Sequence, residues 1–159
     1  MFRAANTAPD GIRAPVRALM QAGAFGMTPL FAAVALLTGR RWLAGVLLAG
    51  GTAAWFRAKA VKPLSGRPRP SGVLTNVVLR EPIAGDLGWV SGHTAVATTL
   101  AFAAAEELPA SARPVLAAWV NAVGFGRMYV GAHLPQDVVG GAGLGMMLSS
   151  FLSLWTRRR

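Results

Sequence analysis

Three short stretches carry the residues with chemistry to offer: Arg127-x5-His133-x3-Asp137, Ser91-Gly92-His93, and Lys62-x6-Arg69-Pro70. If a helix starts at Pro135, Asp137 falls in its first turn and reaches back to His133 Nδ1, leaving Nε2 free to react. Arg127 adds a planar fork of donors suited to phosphate oxygens. Ser91 is a good N-cap, Gly92 lets a ligand approach the backbone, and the free N–H groups of a helix start attract an anion that His93 would face. Lys62, Arg67 and Arg69 form a cluster of cations that repel one another near a low-dielectric bilayer unless an anion or ample water is present. Each stretch also has a plain structural explanation. The first could be a surface ion pair at a helix start, the second a capped helix with an incidental histidine, and the third a basic patch holding anionic lipid.

The elements that must position these residues are apolar. The chain has 159 residues and is 53% hydrophobic and 14% charged, with a mean hydropathy of +0.45, which is too apolar for an ordinary soluble fold and reads as an integral membrane protein of one domain. No cysteine is present, so no disulfide or thiolate metal site is proposed. The net charge of +10 sits in short connections between apolar runs, which favours anionic headgroups and a phosphorylated substrate over nucleic acid.

Residues 1–15 lack a continuous apolar core and read as a polar, poorly ordered lead-in rather than a signal peptide. Five apolar runs follow, at about 16–38, 42–60, 92–108, 114–130 and 135–156. Each is expected to be a membrane helix of roughly 20 residues. Trp42 and Trp55 are candidate interface anchors, Gly45, Gly50 and Gly51 permit close helix contact, and Gly141-x3-Gly145 is a small-residue contact face. Residues 63–90, with Pro63, Pro68, Pro70 and Pro82, form the long loop, inside which Leu74–Leu79 is a candidate interfacial helix. In that arrangement the end of the second run, the start of the third, the end of the fourth and the start of the fifth share one side of the membrane. All three chemical stretches and both histidines of the chain then meet on one face. Cations, a helix N-terminus and two histidines are what phosphoryl transfer through a histidine needs.

Taken in order, the three stretches resemble the three-part signature of the type 2 phosphatidic acid phosphatase (PAP2) superfamily, the lipid phosphate phosphatases. The motif region runs from Lys62 to Asp137, and its spacing selects Arg69, not Arg67, as the first-motif arginine. The resemblance implies an all-α fold, a polytopic membrane helix bundle with a PAP2/haloperoxidase-like core, over residues 16–159. It implies that His133 takes the phosphoryl group, that Asp137 orients it, and that His93 protonates the leaving oxygen and then activates water. Lys62, Arg69, Arg127, Ser91 and the Gly92 N–H would hold the phosphate, with no metal or other cofactor. Two positions depart from the family pattern: Val90 stands where proline is common, and Gly126 where serine is common.

The implied substrate is a membrane lipid phosphate, such as a polyprenyl phosphate or diphosphate, phosphatidic acid or phosphatidylglycerol phosphate. The implied location is a bacterial cytoplasmic membrane with the site facing outward. Charge counting does not support that side, since Arg40, Arg41, Arg113 and Arg157–Arg159 would face in and ten cations would face out. Two other functions remain open: phosphoryl transfer to an acceptor other than water, and non-catalytic binding of anionic lipid. A soluble vanadate haloperoxidase is disfavoured by the apolar composition. The sequence leaves the oligomeric state open.

Overall fold

A computed structural model describes residues 1–156. Arg157–Arg159, expected to close the last helix on the inner face, lie outside the described residues. The helices are α1 (Phe2–Asn6), α2 (Arg13–Gln21), α3 (Thr28–Leu37), α4 (Arg41–Ser65), α5 (Pro70–Val73), α6 (Gly92–Glu107), α7 (Arg113–Tyr129) and α8 (Pro135–Thr156). No strand occurs among the described residues, and an isolated bridge between Pro68 and Leu87 closes part of the long loop.

Small residues set how closely the central helices approach. A Cβ on Gly141 would come within 2.4 Å of the Ser91 carbonyl oxygen, and one on Gly145 within 2.6 Å of that of Ala95, so α8 lies against α6 at backbone distance. Gly51 of α4 receives the Thr28 side chain and Gly50 meets Thr99 and Leu152, whereas Gly45 faces open space and makes no such contact. The main core is built from Leu43, Leu47, Ala54 and Ala58 of α4 with Ala95, Val96 and Leu100 of α6.

Several expectations need correcting. The first apolar run is not one helix: α2 and α3 meet at a bend of 58°. Gly23 sits at this break with Val123 and Ala97 where its side chain would be, so the chain turns where α7 and α6 press against it. The second run continues past its expected end at Ala60 to Ser65, carrying Pro63 in its last turn, and stops at Gly66 with φ +57°. Residues 74–79 are not helical; Asn76 there has φ +57°.

The N-terminal residues, expected to be loose, are tied down. Phe2, Ala5 and Asn6 are buried, and the Asn6 amide donates to the carbonyls of Val78 and Tyr129 while accepting from the Val78 N–H. Composition does not reveal this, because one asparagine pairs with backbone groups that lie more than 70 residues away.

Among the described residues one helix, Pro135–Leu154, is long and apolar enough to cross a membrane, and the bent α2–α3 pair qualifies when taken as one. α6 and α7 have 16 and 17 residues, and α4 carries Arg57, Lys59 and Lys62 in its last three turns.

Candidate active site

The loop between α7 and α8 is shaped by its own backbone. The Gly131 N–H donates to the Met128 carbonyl and the Ala132 N–H to that of Arg127, both at 3.0 Å, which is a Schellman turn closed by Gly131 at φ +80°. The His133 N–H also donates to the Arg127 carbonyl, so Arg127 and His133 are held to one another across a single turn. α8 then starts at Pro135. The Asp137 Oδ2 accepts from the Leu134 N–H at 2.8 Å, the return half of a capping box. The same oxygen lies 3.5 Å from His133 Nδ1, and the Asp137 side chain is wholly buried. That separation is long for a hydrogen bond, and ligand-free catalytic contacts commonly tighten when substrate binds.

A backbone bond joins this loop to the other histidine. The Ser91 N–H donates to the Asp137 carbonyl at 2.9 Å, which fixes the start of α6 beside the first turn of α8. His93 thereby comes to the same cavity as His133. This cavity, of about 520 Å³, is lined by Lys62, Arg69, Gly92, His93, Arg127 and His133 among the residues singled out in the sequence. Ser91 and Asp137 do not line it. The Ser91 hydroxyl is buried and caps α6, accepting from Thr94 N at 3.4 Å and from Thr94 Oγ1 at 3.0 Å, while Asp137 stands behind His133.

The three cations are held differently. Arg69 Nε donates to the Gly85 carbonyl, and its two terminal nitrogens donate to Ala132 and Ala84, at 2.6, 2.9 and 2.9 Å. A guanidinium has five N–H groups, so two remain for a ligand. Lys62 Nζ donates to the carbonyls of Leu87 and Gly88 and keeps one donor. Among the described residues Arg127 has only the Met20 thioether, 3.5 Å from Nη1, as a side-chain partner, and its buried Nε has none. A buried cation with an unmet donor is an invitation to an anion.

Burial pulls the Arg69 guanidinium below its ordinary value, opposed by Asp137 and Asp86. Burial likewise pushes His133 down to about 4, assisted by Arg127, Lys62 and Arg69 and opposed by Asp137. His133 is therefore neutral near pH 7, the form in which an imidazole nitrogen attacks phosphorus.

Other residues at the site give no clear signal in the sequence. Arg67, the alternative to Arg69 that the motif spacing sets aside, lies 3.7 Å from Asp137 Oδ1, whereas Arg69 bonds to the Ala132 carbonyl, so the two arginines of the cluster reach different positions of the segment from Ala132 to Asp137. Arg80 is buried against the Tyr129 ring and donates to the carbonyls of Asn6, Ala8 and Tyr129 and to Asp10, clamping the N-terminal segment to the end of α7. Trp55, expected to be an interface anchor, is instead a wall of the cavity, stacked on Phe25 and edge-on to His93. Gly126 has a spatial reason: a Cβ there would lie 2.9 Å from that of Met20. Gly131 alone is legible, as a glycine directly after an apolar helical run.

The PAP2 superfamily model matches residues 38–159. Among curated proteins none matches the chain. Two solved structures share its fold. The crystal structure of Aquifex aeolicus LpxE superposes with a TM-score of 0.85 at 22% identity, covering 94% of this chain and 90% of that one. The first transmembrane PAP2 type phosphatidylglycerolphosphate phosphatase from Bacillus subtilis superposes at 0.80 and 19% identity, covering 99% and 83%.

Proposed function

The chain belongs to the PAP2 superfamily, and from that premise we propose that it is a metal-independent lipid phosphate phosphatase working through a phosphohistidine. The observation that carries this reading is one cavity holding both histidines and three partly unsatisfied cations, with a buried carboxylate directly behind His133. In the proposed reaction His133 Nε2 attacks phosphorus as the bond to the leaving oxygen breaks, and His93, which takes up its proton when the anionic phosphate enters the cavity, gives that proton to the leaving oxygen. Asp137 stabilises the charge that appears on His133. Lys62, Arg69, Arg127 and the Gly92 N–H offset the charge on the equatorial oxygens. His93 then takes a proton from water, whose oxygen attacks the phosphohistidine and frees His133 and phosphate. Ser91 contributes by holding the start of α6.

The substrate in this reading is a lipid phosphomonoester or diphosphate, because the cavity opens where apolar helices end. Exposed Leu30, Val34, Leu48, Phe56, Phe102, Val115, Val139, Met147 and Phe151 form apolar outer surfaces on five helical units. This supports five membrane crossings, with α2–α3 as one bent crossing and residues 16–159 as the embedded domain. An outward-facing site in a bacterial cytoplasmic membrane is the orientation we adopt with this family.

The test is phosphate release by purified protein in detergent from a polyprenyl phosphate and from phosphatidic acid, with and without EDTA. Wild-type release should survive chelation and be inhibited by vanadate, and His93→Ala and His133→Ala should each abolish it. Strict dependence on added magnesium would overturn the mechanism. A phosphorylated acceptor with no free phosphate would identify a transferase, and full activity in His133→Ala would leave only lipid binding.

A further inference from the structure

The cavity contains a fourth cation that the phosphate does not require. Lys59 lies three residues before Lys62 on α4, on the same helix face, and lines the cavity at its exposed side. Its ammonium sits 5.1 Å over the Trp55 ring and makes no ion pair among the described residues. Trp55 in turn stands edge-on to His93 and packs over Gly92, where a Cβ would meet its ring at 3.2 Å. A continuous wall thus runs from the start of α6, past His93, to Lys59. His93 is on the leaving-group side of the proposed reaction, so Lys59 faces what departs rather than what is transferred.

The remaining polar lining groups are Gln21 and Glu81. Glu81 is itself held by Arg17 at 3.1 Å, with its side chain 13% exposed. A purely apolar alcohol as leaving group would gain nothing from these side chains, whereas an ammonium laid along an aromatic wall gains from a second anion. Resting on the phosphatase reading above, we propose that Lys59 is a specificity-determining residue for lipid substrates whose leaving group carries a second phosphate. That phosphate is either the inner one of a diphosphate or a phosphodiester joined to the scissile phosphomonoester through a polyol. The alternative for Lys59 is a long side chain reaching to bulk lipid headgroups, which would not discriminate between substrates.

The experiment compares wild type, Lys59→Gln and Lys59→Arg on three detergent-solubilised substrates: a polyprenyl monophosphate, a polyprenyl diphosphate, and phosphatidylglycerol phosphate. Lys59→Gln should lower the kcat/KM of a two-phosphate substrate relative to the monophosphate by about tenfold, the scale of one charge-assisted hydrogen bond. Lys59→Arg should restore most of that ratio, and raised salt should shrink the wild-type preference. Which of the two-phosphate substrates responds identifies the source of the second phosphate. Equal changes on all three, or none, would overturn the inference. A second measurement needs no turnover: calorimetric binding of inorganic diphosphate and of inorganic phosphate to the same proteins. Wild type should prefer diphosphate and Lys59→Gln should lose that preference; equal preference in both would also overturn it. If no lipid phosphate is hydrolysed by wild type, the phosphatase reading fails separately, and the binding result still decides whether Lys59 recognises a second phosphate.

Discussion

The two walls of the cavity are built by different means. The wall around His133 is made within eleven residues, Arg127 to Asp137, by a Schellman turn, a capping box and the backbone bonds that link them. The wall around His93 is assembled from Phe25, Trp55, Lys59, Glu81 and Gly92, which come from four separate parts of the chain and meet through ring contacts and packing. The first kind of wall fixes one atom against another through short covalent paths. The second fixes a shape, and tolerates changes that keep its volume. This predicts that the chemistry is concentrated at the first wall and substrate choice at the second.

The largest expected effect tests the reacting wall. His133→Ala should lose at least about a thousandfold in kcat, and Asp137→Asn about 10²–10³-fold, in a phosphate-release assay. If Asp137→Asn keeps near-wild-type kcat, the carboxylate is a helix cap and no more, and the comparison fails at its centre. Arg80→Ala should lower unfolding stability by about 3 kcal/mol, because it takes the guanidinium donor from the Asn6 and Ala8 carbonyls and one of two side-chain donors from that of Tyr129. A thermal melt in detergent checks this. Removal of residues 1–8 should produce a smaller loss in the same direction, through Asn6.

Gly131→Ala should destabilise by about 2 kcal/mol and reduce kcat as well, since it strains a positive φ and places a Cβ 2.6 Å from the Val78 carbonyl oxygen. A loss of stability without loss of kcat would show that the loop is not what holds His133 to Arg127. The pH response follows from His133, whose pKa is lowered in the folded chain. The unfolded chain then binds the extra proton as pH falls below 6.5, so stability drops from there toward pH 4 and this contribution levels off below it. The acid limb of kcat/KM should likewise lie well below pH 6.5; a limb at 6.5 or above would mean an exposed His133. Smallest of all, Met20→Leu keeps the volume beside Arg127 and should cost less than about 1.5 kcal/mol with kcat little changed.

The difference between the walls also explains which residues announce themselves in the sequence. Arg127, His133 and Asp137 are legible because helix caps and turns act over three to six residues, a range at which residue type and spacing suffice. Trp55 is not, because an aromatic near a helix end reads as an interface anchor unless its neighbour is known. That neighbour, Phe25, lies on the far side of a bend that apolar composition conceals. The N-terminal segment hides its role for a similar reason. Asn6 and Arg80 are common polar residues in loops, and nothing near either one shows that they serve the same carbonyl at Tyr129.

The sequence by itself determined the helical class, the membership signalled by three ordered motifs, and the local geometry of the loop bearing His133. The first rests on apolar periodicity and the third on hydrogen bonds between near neighbours, while the second rests on resemblance to a known family signature. Only the tertiary structure decided that Ser91, a cap as its position suggests, does not also line the cavity, that Arg67 and Arg69 diverge, and that Trp55 stands beside His93 with Lys59 over its ring. Those outcomes depend on how α4, α6 and α8 settle against one another through small residues, and a separation of a few ångströms between distant segments leaves no trace in the spacing of either.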